Sequence, residues 1–137
     1  MVVDNQGLDA AARQVGDRWS LRLVGALLDA DRTFGELSGD LDGIAPTILT
    51  ARLKSLQRQG LVVGVPYERR PLRMRYTLTA AGRSLASALS TLSAWGADRE
   101  GHDAGALHAT CGARLVTKPW CPTCERVVDD DDSLTWC

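Results

Sequence analysis

The apolar residues of this chain change their spacing at Gly60, and that change limits the folds open to it. Before Gly60 they recur every three or four residues, the period of an α-helix. Leu8, Ala11, Ala12 and Val15 predict a short helix over residues 8–15. Trp19, Leu23, Ala26, Leu27 and Ala30 predict a second, starting at 17 or 19 and ending near 30. Just after Gly60 the period drops to two. LVVGVPY is rich in β-branched residues, and RMRYTLT alternates, with Met74, Tyr76 and Leu78 on one face and Arg73, Arg75 and Thr77 on the other. ERRPL joins these runs into a hairpin. Helical spacing returns over 80–98, where Leu85, Ala88, Leu89, Leu92 and Trp95 form a stripe. The expected fold is mainly α with a small β-hairpin wing.

Capping residues place the boundaries. Thr33 and Glu36 have the spacing of a capping box, which starts a third helix over 33–41. Asp42-Gly43 breaks it. Pro46 opens a fourth helix over 46–59, because proline lacks only an N–H that the first turn leaves unpaired. Gly60 is a natural residue to end it. Thr79 can cap the last helix. Two helices joined by a tight glycine-containing turn make a helix-turn-helix, and the hairpin that follows makes it a winged one.

Charge is informative only when divided along the chain. The net charge of −1 hides a basic centre: residues 52–83 carry eight basic residues and one acid, Glu68, for a net of +7. Residues 101–137 carry three basic and six acidic residues, including the run 129–132. Solvated surfaces normally mix the signs, so a one-sided segment points to a binding face. On the fourth helix Leu49, Leu53 and Leu56 form the core stripe, with Ile48 at its edge. Thr47, Ala51, Lys54 and Arg58 lie opposite, flanked by Thr50 and Ser55. Short side chains let a helix approach the major groove of DNA, and Lys or Arg can donate to guanine O6 and N7. Arg69 and Arg70 at the hairpin tip, with Arg73 and Arg75 on its outward face, suit phosphates or a neighbouring minor groove. Arg52 falls near the core edge and is expected to position the helix or a phosphate rather than read bases. Trp19 and Trp95 sit on apolar stripes and are expected in the core or in a dimer interface.

These segments also carry a family likeness. VGDRWSLRLVGALL, RTFGEL, GIAPTILTARLKSLQRQGLV and YTLTAAGRSL, in that order, resemble the HxlR-type winged helix-turn-helix regulators, relatives of the MarR group. The resemblance spans about residues 8–99. It implies a homodimer joined largely through the terminal helices, with two recognition helices, residues 46–58 of each chain, on a roughly palindromic operator. It places residues 68–75 on the wing. Two positions depart from the family pattern. Ala45 stands where a Ser or Thr usually caps the recognition helix, a loss worth about 1 kcal/mol. The N-terminal cysteine used by some members as a thiol sensor is missing, because no Cys precedes Cys111.

The four cysteines, Cys111, Cys121, Cys124 and Cys137, all fall in the last 27 residues. His108-x2-Cys111 and Cys121-x2-Cys124 are two half-sites of equal step, which together offer three thiolates and an imidazole to a structural zinc ion. ARLVTKP between them reads as strand-like, and the whole as a short zinc-ribbon-like extension. His102 and Cys137 are weaker ligands, although Cys137 could replace His108. Cys121-Pro-Thr-Cys124 also matches the redox CxxC pattern, but too little chain follows the long helix to build the βαβ fold that chemistry uses.

The expected organisation is a DNA-binding and dimerisation domain over 1–99, a linker over 100–107, the zinc-ribbon-like module over 108–128, and a frayed acidic tail over 129–137. No apolar run approaches the roughly 20 residues of a membrane span, and the first residues lack a secretory pattern, so a cytoplasmic protein without a membrane partner is expected. No Ser/His/Asp spacing or phosphate loop recommends an enzyme. The competing reading is a zinc-dependent protein-interaction or redox-switch module that uses the winged fold as scaffold. Any small-molecule effector is left unspecified.

Overall fold

The computed structural model of the chain describes residues 3–102, 105, 107–129 and 132. They divide into two compact units, Gln6–Ala86 and a second made mostly of the chain from Ser87 onward. The first unit contains α1 (Asn5–Val15), α2 (Arg18–Asp29), β1 (Arg32–Thr33), α3 (Phe34–Asp40), α4 (Pro46–Arg58), β2 (Val62–Arg69), β3 (Leu72–Leu78) and α5 (Ala80–Arg83). The second contains α6 (Ala86–Glu100), β4 (Trp120–Cys121) and β5 (Arg126–Val127).

In the first unit the core is leucine-rich. Leu23, Val24 and Leu27 of α2, Leu37 of α3 and Leu49, Leu53 and Leu56 of α4 are buried, closed by Leu41 and Ile44 of the α3–α4 turn and Leu61, Val62 and Leu78 of the wing base. Each fully buried leucine contributes on the order of 2 kcal/mol of transfer free energy. The α4 stripe is therefore the one its spacing predicts. Asp17 caps α2, accepting from the N–H groups of Trp19 and Ser20. Thr33 and Glu36 close the predicted capping box on α3. Gly60 follows α4 with φ +71°, a left-handed conformation that glycine adopts without strain.

The wing is an antiparallel sheet in the order β1-β3-β2. Val62 pairs with Leu78 at its base and Arg69 with Leu72 at its tip, and the register shifts between Pro66 and Glu68. The strands run further than ERRPL suggested, leaving only Arg70-Pro71 as the turn. Two-residue β1, paired with Tyr76 and Arg75, is too short to show a period in the sequence.

Three expectations need correction. The buried face of α2 is Ser20, Leu23, Val24 and Leu27, so it is rotated from the predicted stripe. Trp19 is half-buried, held at the edge of that face by Arg18 and Arg22, whose guanidinium carbons lie 4.5 and 5.2 Å from its ring centre. The single helix over 80–98 is broken at Ser84 and Leu85. There the Ser84 hydroxyl donates to the Ala81 carbonyl at 2.7 Å and Leu85 N–H turns to Gly82, so local bonds compete with the helical ladder. ARLVTKP is not a strand. Its Arg114 forms an isolated bridge with Leu107, its Ala113 and Pro119 carbonyls accept from the His108 and Val128 N–H groups, and the tail's second hairpin is made by β4 and β5.

In the second unit α6 buries Ala97 but leaves Leu92 and Trp95 at 47% and 64% exposure. The Thr91 and Thr117 hydroxyls are 3.1 Å apart, bringing the stretch before β4 to α6. Lys118 meets Asp129, and Arg126 meets Asp132. Asp130, Asp131 and Cys137 lie outside the described residues. No helix among the described residues is long and apolar enough to cross a membrane.

Candidate nucleic-acid interface

The core stripe of α4 leaves its opposite face in solvent. Thr47, Thr50, Ala51, Lys54 and Arg58 are all exposed. Thr50 spends its hydroxyl on the Pro46 carbonyl at 2.9 Å. Ser55 stands apart from this set: it is half-buried and receives the Gln59 amide at 3.2 Å. Ala45 makes no side-chain cap, as its residue type requires, and Pro46 occupies the start of the helix.

Arg52 links α4 to the start of α2 through an ion pair. Its Nε, buried and without a hydrogen-bond partner, faces the Asp17 carboxylate at 3.4 Å. Asp17 thus serves two helices at once, capping α2 and pairing with α4. Burial alone would raise its pKa. Hydrogen bonds from Ser20 and Trp19 together with the Arg52 charge outweigh that, and the carboxyl is held below its ordinary value. This anchor was not visible in the sequence, where Asp17 was only a possible helix start.

A depressed carboxyl stabilises the fold above its unfolded value of 3.8 and ceases to do so as pH falls through the lower folded value. Asp17→Ala should cost about 1–2 kcal/mol at pH 7, mostly the lost cap. Asp17→Asn keeps a capping oxygen and should cost less. Urea denaturation at pH 7 and near pH 3 checks this, and the penalty of each variant should shrink at the lower pH.

The wing holds the remaining basic residues. Arg69 and Arg70 lie exposed at the tip. Arg73 is exposed but pairs with Glu68, its cross-strand neighbour, at 3.2 Å. The Arg75 guanidinium lies 5.6 Å from the Tyr67 ring centre. The structure therefore divides four arginines that the sequence treated alike: two at the tip project unengaged by any described ion pair, and two are braced by neighbours on the hairpin.

In the tail the four sequence-predicted ligands form two separate pairs. His108 Nδ1 and Cys111 Sγ are 3.2 Å apart, and Cys121 Sγ accepts the Cys124 N–H at 3.5 Å. Hydrogen bonds from Cys124 and Thr123, with Arg126 nearby, hold the Cys121 thiol below its usual pKa, whereas Cys124, beside Cys121, is pushed up. Each pair is set by its own turn, and turn hydrogen bonds alone do not draw the pairs together. Among the described residues no three His, Cys, Asp or Glu side chains stand where they could share an ion.

Known proteins share the winged helix-turn-helix fold. Residues 14–103 match the HxlR-like helix-turn-helix family. An HTH-type transcriptional regulator of Mycobacterium tuberculosis is 34% identical over 125 residues, covering 88% of this chain and 78% of that protein. A MarR-family transcriptional regulator from Enterococcus faecalis superimposes with a TM-score of 0.61 at 35% identity, over 74% of this chain and 93% of its own. A transcription factor from Pseudomonas aeruginosa gives a TM-score of 0.71 at 30% identity, over 93% of this chain and 89% of its own. That last share exceeds what residues 14–103 can supply, so the likeness continues into the tail. With a winged helix-turn-helix whose second helix turns a polar, cationic face to solvent, the chain belongs to the HxlR-like helix-turn-helix family of DNA-binding transcriptional regulators.

Proposed function

We propose that the protein is a cytoplasmic homodimer that binds a roughly palindromic operator, with α4 of each protomer in successive major grooves about 34 Å apart. The observation that carries this is the exposed face of α4, where Lys54 and Arg58 rise among small neighbours Thr47, Thr50 and Ala51. Lys54 and Arg58 donate to base edges and adjacent phosphates. Arg69 and Arg70 at the wing tip reach the flanking backbone or minor groove, while Arg73 and Arg75 contribute charge from the hairpin. Ser55, bonded to Gln59, acts at the edge of the contact. Function rests on binding, not on a chemical step.

Dimerisation has a physical motive in the uncovered apolar side chains. Leu8 on α1 and Leu92 and Trp95 on α6 are each about half exposed or more, and a second copy is the partner that would bury them. Leu92→Asp/Trp95→Asp should turn a dimer into a monomer in sedimentation velocity at micromolar concentration. It should also weaken operator binding, because each half-site would then be held alone. A double variant that stays dimeric would place the interface elsewhere.

The reading as a whole is tested by selecting bound duplexes from a random pool. The expected product is an inverted repeat with half-sites one helical turn apart. An enriched site lacking two-fold symmetry would contradict the dimeric arrangement.

A further inference from the structure

We propose that His108, Cys111, Cys121 and Cys124 form one four-coordinate zinc site that closes the tail. The two turns that carry these residues are built alike. In each, two ligands stand three apart and the next residue is left-handed: Gly112 at φ 70° and Glu125 at φ 51°. Glu125 is the one non-glycine with positive φ among the described residues. A side chain there disfavours that conformation, so the match between the turns is not simply where glycine happened to fall. Backbone bonds hold the first turn, with Cys111 and Gly112 N–H both donating to the His108 carbonyl at 3.2 and 2.8 Å.

Leu107, Leu115, Val116 and Trp120 are all more than half exposed. Among the described residues of the tail, hydrophobic burial therefore does little to fasten these two short hairpins, and a module this small ordinarily relies on a disulfide or metal. Three thiols and an imidazole are the donors that zinc selects in a closed tetrahedral site. The nine residues between Cys111 and Cys121 are ample for the second turn to fold back on the first. Metal uptake would draw the two pairs together, so binding and closure of the tail are one event.

The test uses the full-length, reduced protein. After gel filtration from zinc-containing buffer, elemental analysis should find one zinc per chain. Cobalt titration of the apoprotein should give the intense visible bands of a tetrahedral, thiolate-rich site. His108→Ala/Cys111→Ser and Cys121→Ser/Cys124→Ser should each abolish both signals, whereas His108→Cys and Cys137→Ser should retain them. Zinc kept by either double variant, or lost in Cys137→Ser, would overturn this ligand set. So would a reduced wild-type protein that takes up neither metal and on oxidation loses two hydrogens to a Cys121–Cys124 disulfide. Because the cobalt titration needs no mutation, misfolding of a variant cannot obscure the outcome.

Discussion

Lys54→Ala combined with Arg58→Ala should weaken binding to the operator by about 100-fold or more. A well-placed base contact is worth about 1–3 kcal/mol, and every 1.4 kcal/mol is tenfold in affinity. Both side chains are exposed, and neither belongs to the Leu49, Leu53, Leu56 stripe that seats the helix. The circular dichroism spectrum and melting temperature should therefore stay near those of the parent. The single variants separate two roles. A base-reading residue relaxes preference at one position, whereas a phosphate contact weakens all sequences and lowers the salt slope by about 1. If the double variant binds like the parent, the groove-facing side of α4 has been wrongly assigned.

Gly82→Ala should be strongly damaging, although it adds one methyl group to a helix. A Cβ at Gly82 would lie 2.2 Å from the Leu61 carbonyl oxygen and 2.9 Å from Leu78 Cδ2. That carbonyl cannot simply move away, because it accepts the Thr79 N–H at 3.0 Å and lies 3.3 Å from the Thr79 hydroxyl. Overpacking typically costs about 1–3 kcal/mol, and a backbone neighbour that cannot yield puts Gly82→Ala at the upper end, about 3 kcal/mol. In a domain of this size that lowers the melting temperature by over 10 °C. Gly25→Ala supplies the contrast. It lies inside α2 with nothing within 4 Å of the added carbon, and should stabilise by about 0.5–1 kcal/mol. Thermal melts of the two variants side by side would show whether space or backbone entropy governs each glycine.

Much of the fold was written in patterns that act over a few residues. The capping box at Thr33 and Glu36, Pro46 at the head of α4, Gly60 at its end and the alternation of Met74, Tyr76 and Leu78 are all local, and all appear where their spacing puts them. The α4 face was legible for the same reason, since a helix of known phase with three buried leucines leaves only one side for solvent. What stayed hidden depends on partners distant in sequence. Arg52 needs Asp17, which lies 35 positions earlier, and Arg73 is tempered by Glu68 only because the bulge after Pro66 sets their register. The break at Ser84 is decided by a hydroxyl that outcompetes the ladder, a contest that periodicity does not register. Leu92 and Trp95 have the spacing of a core stripe, yet lie largely in solvent within one chain. The pattern reported an apolar face without saying which molecule covers it.

Sequence-specific recognition through α4 and the wing can be read in a single titration. Fluorescence anisotropy of the purified protein with labelled duplex from upstream of its own coding region should be followed across salt concentration, beside a scrambled duplex of equal length. Binding should be tight, favour the upstream fragment and fall steeply with salt, as phosphate contacts from Arg69, Arg70 and their neighbours release counterions. Absence of binding to both duplexes at low salt would contradict such recognition.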